Sequence, residues 1–156
     1  MNINTRRAII IILLIFFILA AFYLSKRVKD VNDVTFSEVQ GRFWNLAEVK
    51  NGSTVISIER TDTRKDIYTI KFESNRLTGS GADNLYFASY TTGKNHILQI
   101  GRIASTRVAP SFEVKNFTEY EYFQHLERVS RWYLHDGKLE LHIYDENGAA
   151  VVLVFV

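Results

Sequence analysis

The densest group of residues able to do chemistry is the stretch Leu77–Tyr90, LTGSGADNLYFASY, where a Gly-Ser-Gly run meets an Asp-Asn pair and then three aromatics. A phosphate loop needs a lysine and a hydroxyl after its glycines, to pair the phosphates and to hold magnesium. Here Ala82 and Asp83 follow Gly81, and an acid repels phosphate. Calcium would need acidic residues at regular alternate positions, and that spacing is missing. The four histidines, His96, His125, His135 and His142, form no H-x-x-x-H or H-E-x-x-H pair, so the sequence supplies no zinc motif. Ser105 and Thr106 lack a nucleophile elbow and a neighbouring base. The carboxylate pairs Asp62 with Asp66 and Glu119 with Glu121 fall in a turn and at a helix start, where they stabilise the turn and the helix dipole. Gly79 and Gly81 then read as turn residues, with glycine supplying unusual φ angles. Tyr86, Phe87 and Tyr90 either belong to a core or line a pocket. The expectation is a non-catalytic protein without metal or cofactor.

The elements that must position these residues start with an apolar run. Ala8–Leu24, AIIIILLIFFILAAFYL, has no polar stripe, as a membrane segment requires, and basic residues stand at both ends. A cleavage site after Ala21 would place Leu19 where a small residue is needed, so an uncleaved anchor is expected in preference to a removed signal. The organisation expected is a short tail at 1–7, a transmembrane helix or signal anchor at 8–25, a tether at 26–40 and a folded domain at 41–156. The domain is expected outside the cytoplasmic membrane; the alternative is a secreted or periplasmic protein after cleavage.

The chain has 19 basic and 17 acidic residues. Arg6, Arg7, Lys26, Arg27 and Lys29 precede the first acid, Asp30, which leaves 14 bases against 17 acids and a charge near −3 for the rest. That sign argues against nucleic-acid binding. Cysteine is absent, which removes disulfides, thiolate metal sites and cysteine nucleophiles.

From Gly41 the apolar residues recur mostly with period two. RFWNLAEV sets Trp44 and Leu46 on one face against Phe43 and Asn45 and ends at Asn51-Gly52, a tight-turn pair. TVISIERT, IYTIKFE, HILQIGRIA, VSRWYLH, LELHIYDE and AVVLVFV continue the pattern. Asp136-Gly137 and Asn147-Gly148 make the last three a meander, and a two-residue loop at Asp136-Gly137 sets His135 opposite Lys138 and His142 opposite Arg131. One segment has helical spacing: Tyr122, Phe123, Leu126 and Val129, with Thr118 as N-cap. These elements predict a mainly β domain with one helix, its antiparallel meander forming a curved sheet or small barrel.

In this order the residues resemble the META domain, also called the HslJ-like domain, of bacterial envelope and secreted proteins. The similarity rests on Trp44 and Leu46; on Gly79, Gly81, Asp83, Asn84, Tyr86 and Tyr90; on Ile103–Pro110, with Thr106 inside it; and on Glu119, Tyr122, Phe123, Leu126 and Val129. Two family cysteines correspond to Asp83 and Pro110, so the resemblance implies that a bridge in relatives is replaced here, and that these positions face each other. It also implies an envelope domain of stress-response or virulence-associated context with no agreed ligand residues. The expected function is interaction with an envelope component or support of envelope stress tolerance. The alternatives are a membrane-tethered barrel for a small ligand or lipid, and, more weakly, a hydrolase with a spatially assembled site.

Overall fold

In the computed structural model the described residues are 15, 17, 35–61, 65–109, 114, 116–146, 148 and 150–156. All of the expected anchor at 8–25 except residues 15 and 17, and most of the tether, lie outside them. Among the described residues no helix is long and apolar enough to cross a membrane. Phe36–Val156 forms one compact unit, opened by a short 3-10 turn at Phe36–Glu38.

Ten antiparallel strands build the sheet of this unit: β1 (Phe43–Asn51), β2 (Thr54–Ser57), β3 (Thr69–Phe72), β4 (Arg76–Ser80), β5 (Leu85–Thr92), β6 (Leu98–Ile100), β7 (Ala104–Ser105), β8 (Arg131–His135), β9 (Lys138–Tyr144) and β10 (Ala150–Phe155). Their order is β6-β5-β4-β3-β1-β10-β9-β8, with β2 beside β1 and β7 beside β5. The helix α1 (Glu119–Glu127) connects β7 to β8.

The longest strand, β1, is central because one edge carries β10 and the other is shared. Its first residues pair with β3, and its last pair with β2. A bulge between Leu46 and Glu48 marks the fork and brings both Leu46 and Val49 to the buried side. Arg60 fills the wedge, its guanidinium donating to the carbonyls of Leu46 (2.6 Å) and Ile67 (3.2 Å). The Asn51-Gly52 turn closes β1–β2, with Gly52 at φ +57°.

The alternation expected of β1 holds, and β4 and β5, for which no strand was expected, alternate as well. Trp44, Leu46, Leu77, Tyr86, Ala88 and Tyr90 face inward. The meander β8–β9–β10 has the expected register, with His135 opposite Lys138 and Arg131 opposite His142. The alternation expected over Ile67–Glu73 fails at its start, just before β3. Tyr68 has φ +50°, and Ile67, Tyr68, Thr69 and Ile70 are all buried. The left-handed residue turns the chain where period two assumes a straight strand.

The sheet curves, but it does not close into the barrel offered as one outcome. Its terminal strands β6 and β8 meet at a single bridge, Ile97 with Arg131. Leu98 N donates to Ser130 O (3.1 Å), and Trp132 N to His96 O (3.0 Å). Asn95 and His96 both take positive φ just before β6. They bend the backbone into a short loop, and β6, three residues long, cannot extend the ladder. The concave side is filled by its own side chains, including Trp44, Phe72, Leu98, Leu139, Leu141 and Phe155.

Helix α1 carries the expected cap. Thr118 Oγ1 accepts from Glu121 N (3.2 Å), and the Glu121 carboxylate accepts from Thr118 N (2.8 Å), a capping box. Tyr122 and Leu126 are buried against the sheet. The hydrogen bonds from the Thr118 backbone and hydroxyl hold the Glu121 carboxyl below its ordinary value of 4.5. Burial, followed by the charge of Arg128, holds His125 below 6.5. Both folded values are depressed, so each contribution is present above the unfolded value and disappears as pH falls through the folded one. Stability measured by urea unfolding should therefore decline on acidification from pH 7. His125→Gln should flatten the upper part of that decline, and Glu121→Gln the part below about pH 4.5; unchanged profiles in both variants would refute the assignment. Thr118→Ala should lower stability by about 1 kcal/mol, and Thr118→Ser should nearly restore it.

Candidate functional site

The turn between β4 and β5 is built around a carboxylate from the helix. Glu119 Oε2 accepts from Asp83 N (3.0 Å) and Asn84 N (2.9 Å), and Oε1 accepts from Asn84 Nδ2 (2.6 Å). Asn84 Oδ1 accepts in turn from Thr106 Oγ1 (2.8 Å) and Val108 N (2.7 Å), and Thr106 Oγ1 accepts from Leu85 N (3.2 Å). Asn84 is buried, and its amide uses donor and acceptor ends together. One side chain thus ties the turn to the helix start and to the segment after β7.

The glycines permit this approach, but not in the expected way. Gly79 and Gly81 have no positive φ; the glycines that do are Gly41, Gly52, Gly137 and Gly148. What matters at 79 and 81 is the missing Cβ. One at Gly81 would lie 2.3 Å from Glu119 Oε2, and one at Gly79 would lie 2.0 Å from Thr69 O. Gly79 and Ser80 also belong to strand β4, so the turn proper begins at Gly81.

Thr69 is the second junction. Its carbonyl accepts from the hydroxyls of Tyr86 (2.8 Å) and Tyr122 (3.1 Å), which are 3.0 Å apart. Its hydroxyl accepts from Ser80 N (3.0 Å), replacing a ladder bond at the end of β3. Burial pushes the Tyr86 and Tyr122 phenols above their ordinary value, so both stay neutral and act as hydrogen-bonding groups.

The candidate residues therefore divide into two groups. Gly79, Gly81, Asp83, Asn84 and Thr106 surround the Glu119 and Thr69 junctions. Trp44, Leu46, Tyr86, Tyr90 and Leu126 fill the core. Trp44 Nε1 donates to Val39 O (2.9 Å), and the Tyr90 hydroxyl accepts from Gln40 Nε2 (2.7 Å) and bonds to the Glu73 carbonyl. Pro110 lies outside the described residues, as does its expected placement opposite Asp83. Three histidines gather about Tyr133: His142 at 4.8 Å between centroids, His96 at 5.1 Å and His135 at 5.9 Å. His142 also meets Glu140 at 3.0 Å. Among the described residues no set of three or more His, Asp or Glu side chains is placed to hold a metal.

The candidate binding surface lies on the outer face of the sheet, a depression of about 820 Å³ crossing β1, β3, β4, β5 and β7. Its apolar part comes from Phe43, Leu85 and Phe87, which are 68%, 67% and 47% exposed. Thr78, Ser80, Ser105, Thr106 and Asn45 supply neutral polar groups, and Arg76 and Asp66 supply charge. Of the three aromatics after Asn84, Tyr86 and Tyr90 are buried while Phe87 faces this depression. From sequence, Glu119 has a helix-dipole role and Phe43 a place opposite Trp44, without the turn contact of the one or the exposed cluster that the other forms with Leu85. Glu121 already completes the capping box, which leaves Glu119 available for another partner. Phe43 and Leu85 stand where alternation calls for polar residues.

Gly81→Ala forces the new methyl against Glu119 and should lower stability by about 2–4 kcal/mol in urea unfolding. Glu119→Ala removes the obstacle as well as the acceptor, so the double variant should cost less than the two single changes added together. Strict additivity would show that the two positions do not press on each other.

The family model of the META domain matches residues 37–155. No curated protein matches the sequence. An NMR structure of a protein from Burkholderia xenovorans is similar in fold, with a TM-score of 0.59 at 17% identity, over 81% of this chain and 89% of that one. A crystal structure of a DUF4847 family protein from Bacteroides vulgatus ATCC 8482 gives a TM-score of 0.54 at 13% identity, over 78% of this chain and 95% of that one. With the Glu119–Asn84 junction lying inside the matched range, the chain belongs to the META domain family.

Proposed function

We propose that this chain is a single-span membrane protein whose META domain stands outside the cytoplasmic membrane and binds an envelope component without catalysing a reaction. One observation carries the binding part: Phe43, Leu85 and Phe87 are exposed together in one depression, although the opposite face of the sheet already holds a complete core. Apolar side chains clustered on an outer face mark interaction surfaces. The non-catalytic part is supported by the lining, whose hydroxyls have no histidine among them and whose single carboxylate residue is Asp66. Placement outside the membrane is supported by the apolar run Ala8–Leu24 and its short basic tail.

The absence of cysteine provides a direct test of placement. Lys138→Cys puts one thiol at the exposed start of β9, beside the Asp136-Gly137 turn; a membrane-impermeant maleimide should label it in intact cells, and labelling that requires lysis would overturn the topology. For binding, a photocrosslinking residue at Leu85 should yield an adduct with an envelope component. Phe87→Asp should abolish that adduct at a stability cost of about 1–2 kcal/mol, leaving the domain folded. An adduct that persists in Phe87→Asp would remove the depression as the binding surface.

A further inference from the structure

The occupant of the outer depression can be narrowed by charge, on the binding reading above. A row of outward side chains runs across five strands as Phe43, Lys71, Thr78, Phe87 and Ala104. Two cations lie over its aromatic rings. Lys71 Nζ is 5.1 Å from the Phe43 centroid, and the Arg76 guanidinium carbon is 4.4 Å from that of Phe87. Lys71 is paired with Glu73 at 3.3 Å. Arg76 has no carboxylate partner among the described residues, and it lines the depression. Asp66, the acid of the lining, lies beside Ser80 at the other end of β4. Four residue steps along the strand separate Arg76 from Ser80, about 13 Å.

The surface is therefore polarised, with an uncommitted guanidinium at one end and an apolar floor beside it. A cationic ligand would meet Arg76 and Lys71. A guanidinium takes a carboxylate through two parallel N–H donors, and its stacking on Phe87 fixes the fork in place. The volume falls in the range of about 300–1,000 Å³ that holds small molecules. We propose that this depression binds a single-chain carboxylate amphiphile of the fatty-acid type, with its carboxylate on Arg76 and its chain over Phe87, Phe43 and Leu85.

The test uses the full chain in phosphatidylcholine nanodiscs with a diazirine-bearing decanoate, mapping photoadducts by peptide mass spectrometry. Adducts should fall on the β1 and β5 peptides, and decanoate should compete about tenfold better than decanol. Arg76→Gln should keep the adducts and lose that preference. Phe87→Asp should lose the adducts, with circular dichroism confirming that both variants are folded. Equal competition by decanol and decanoate in the unsubstituted chain overturns the proposal, as do adducts mapping elsewhere. If these adducts are missing while the Leu85 crosslink to an envelope component persists, the fatty-acid inference falls and the binding reading stands. Loss of both removes the reading itself.

Discussion

The docking of α1 depends on a carboxylate that reaches out of its first turn. Glu119 accepts from two backbone amides and one side-chain amide of the β4–β5 turn, and the Asn84 amide also reaches Val108 O at the longer distance of 3.4 Å. Three buried or half-buried N–H groups left unpaired would each cost about 1–3 kcal/mol. The carboxylate therefore determines where the helix starts relative to the sheet. The rest follows: Tyr122, one turn on, reaches the Thr69 carbonyl, and Leu126, a further turn on, enters the core. Gly81 is small because the carboxylate passes through the space a side chain would fill.

A second constraint is the sharing of β1. One strand edge cannot pair with two neighbours over the same residues, so β3 takes the beginning and β2 the end. The gap between them exposes the carbonyls of Leu46 and Ile67, and Arg60 supplies donors to both. The bulge, the arginine and the left-handed Tyr68 are local departures from strand regularity at one branching point. Each lets the chain change direction without leaving its backbone groups unpaired.

Much of this was legible in the sequence where a rule of spacing acts alone. The period-two face of Trp44 and Leu46, the Asp136-Gly137 register and the Thr118 cap depend on near neighbours, and each was read correctly. The closure of the sheet depends on residues far apart in sequence, Ile97 and Arg131, and no local pattern sets how many pairs they form. Tyr68 shows the same limit at smaller scale, since its left-handed backbone goes with hydrogen bonds to Gly81 and Phe117, both distant in sequence. Gly79 and Gly81 were recognised as special for the wrong reason. Sequence shows only that glycine is present, whereas the structure separates a glycine needed for its φ angle from one needed for its missing Cβ. The site was less legible still, because Phe43, Arg76 and the Leu85–Phe87 pair come from three strands and become neighbours only through register.

The single Ile97–Arg131 bridge gives the sheet an unequal perimeter. On one side of the curve the two halves are joined through the continuous pairings of β1, and on the other by one short clasp. Bending about β1 can part the clasp while sacrificing few hydrogen bonds, whereas bending elsewhere would break whole ladders. The curved sheet thus has a built-in direction of compliance, with β1 as its spine and the β6–β8 seam as the fore-edge that opens first. The outer depression crosses strands on the spine side of that seam, so the fold places its exposed aromatic surface on the stiffer part of the sheet.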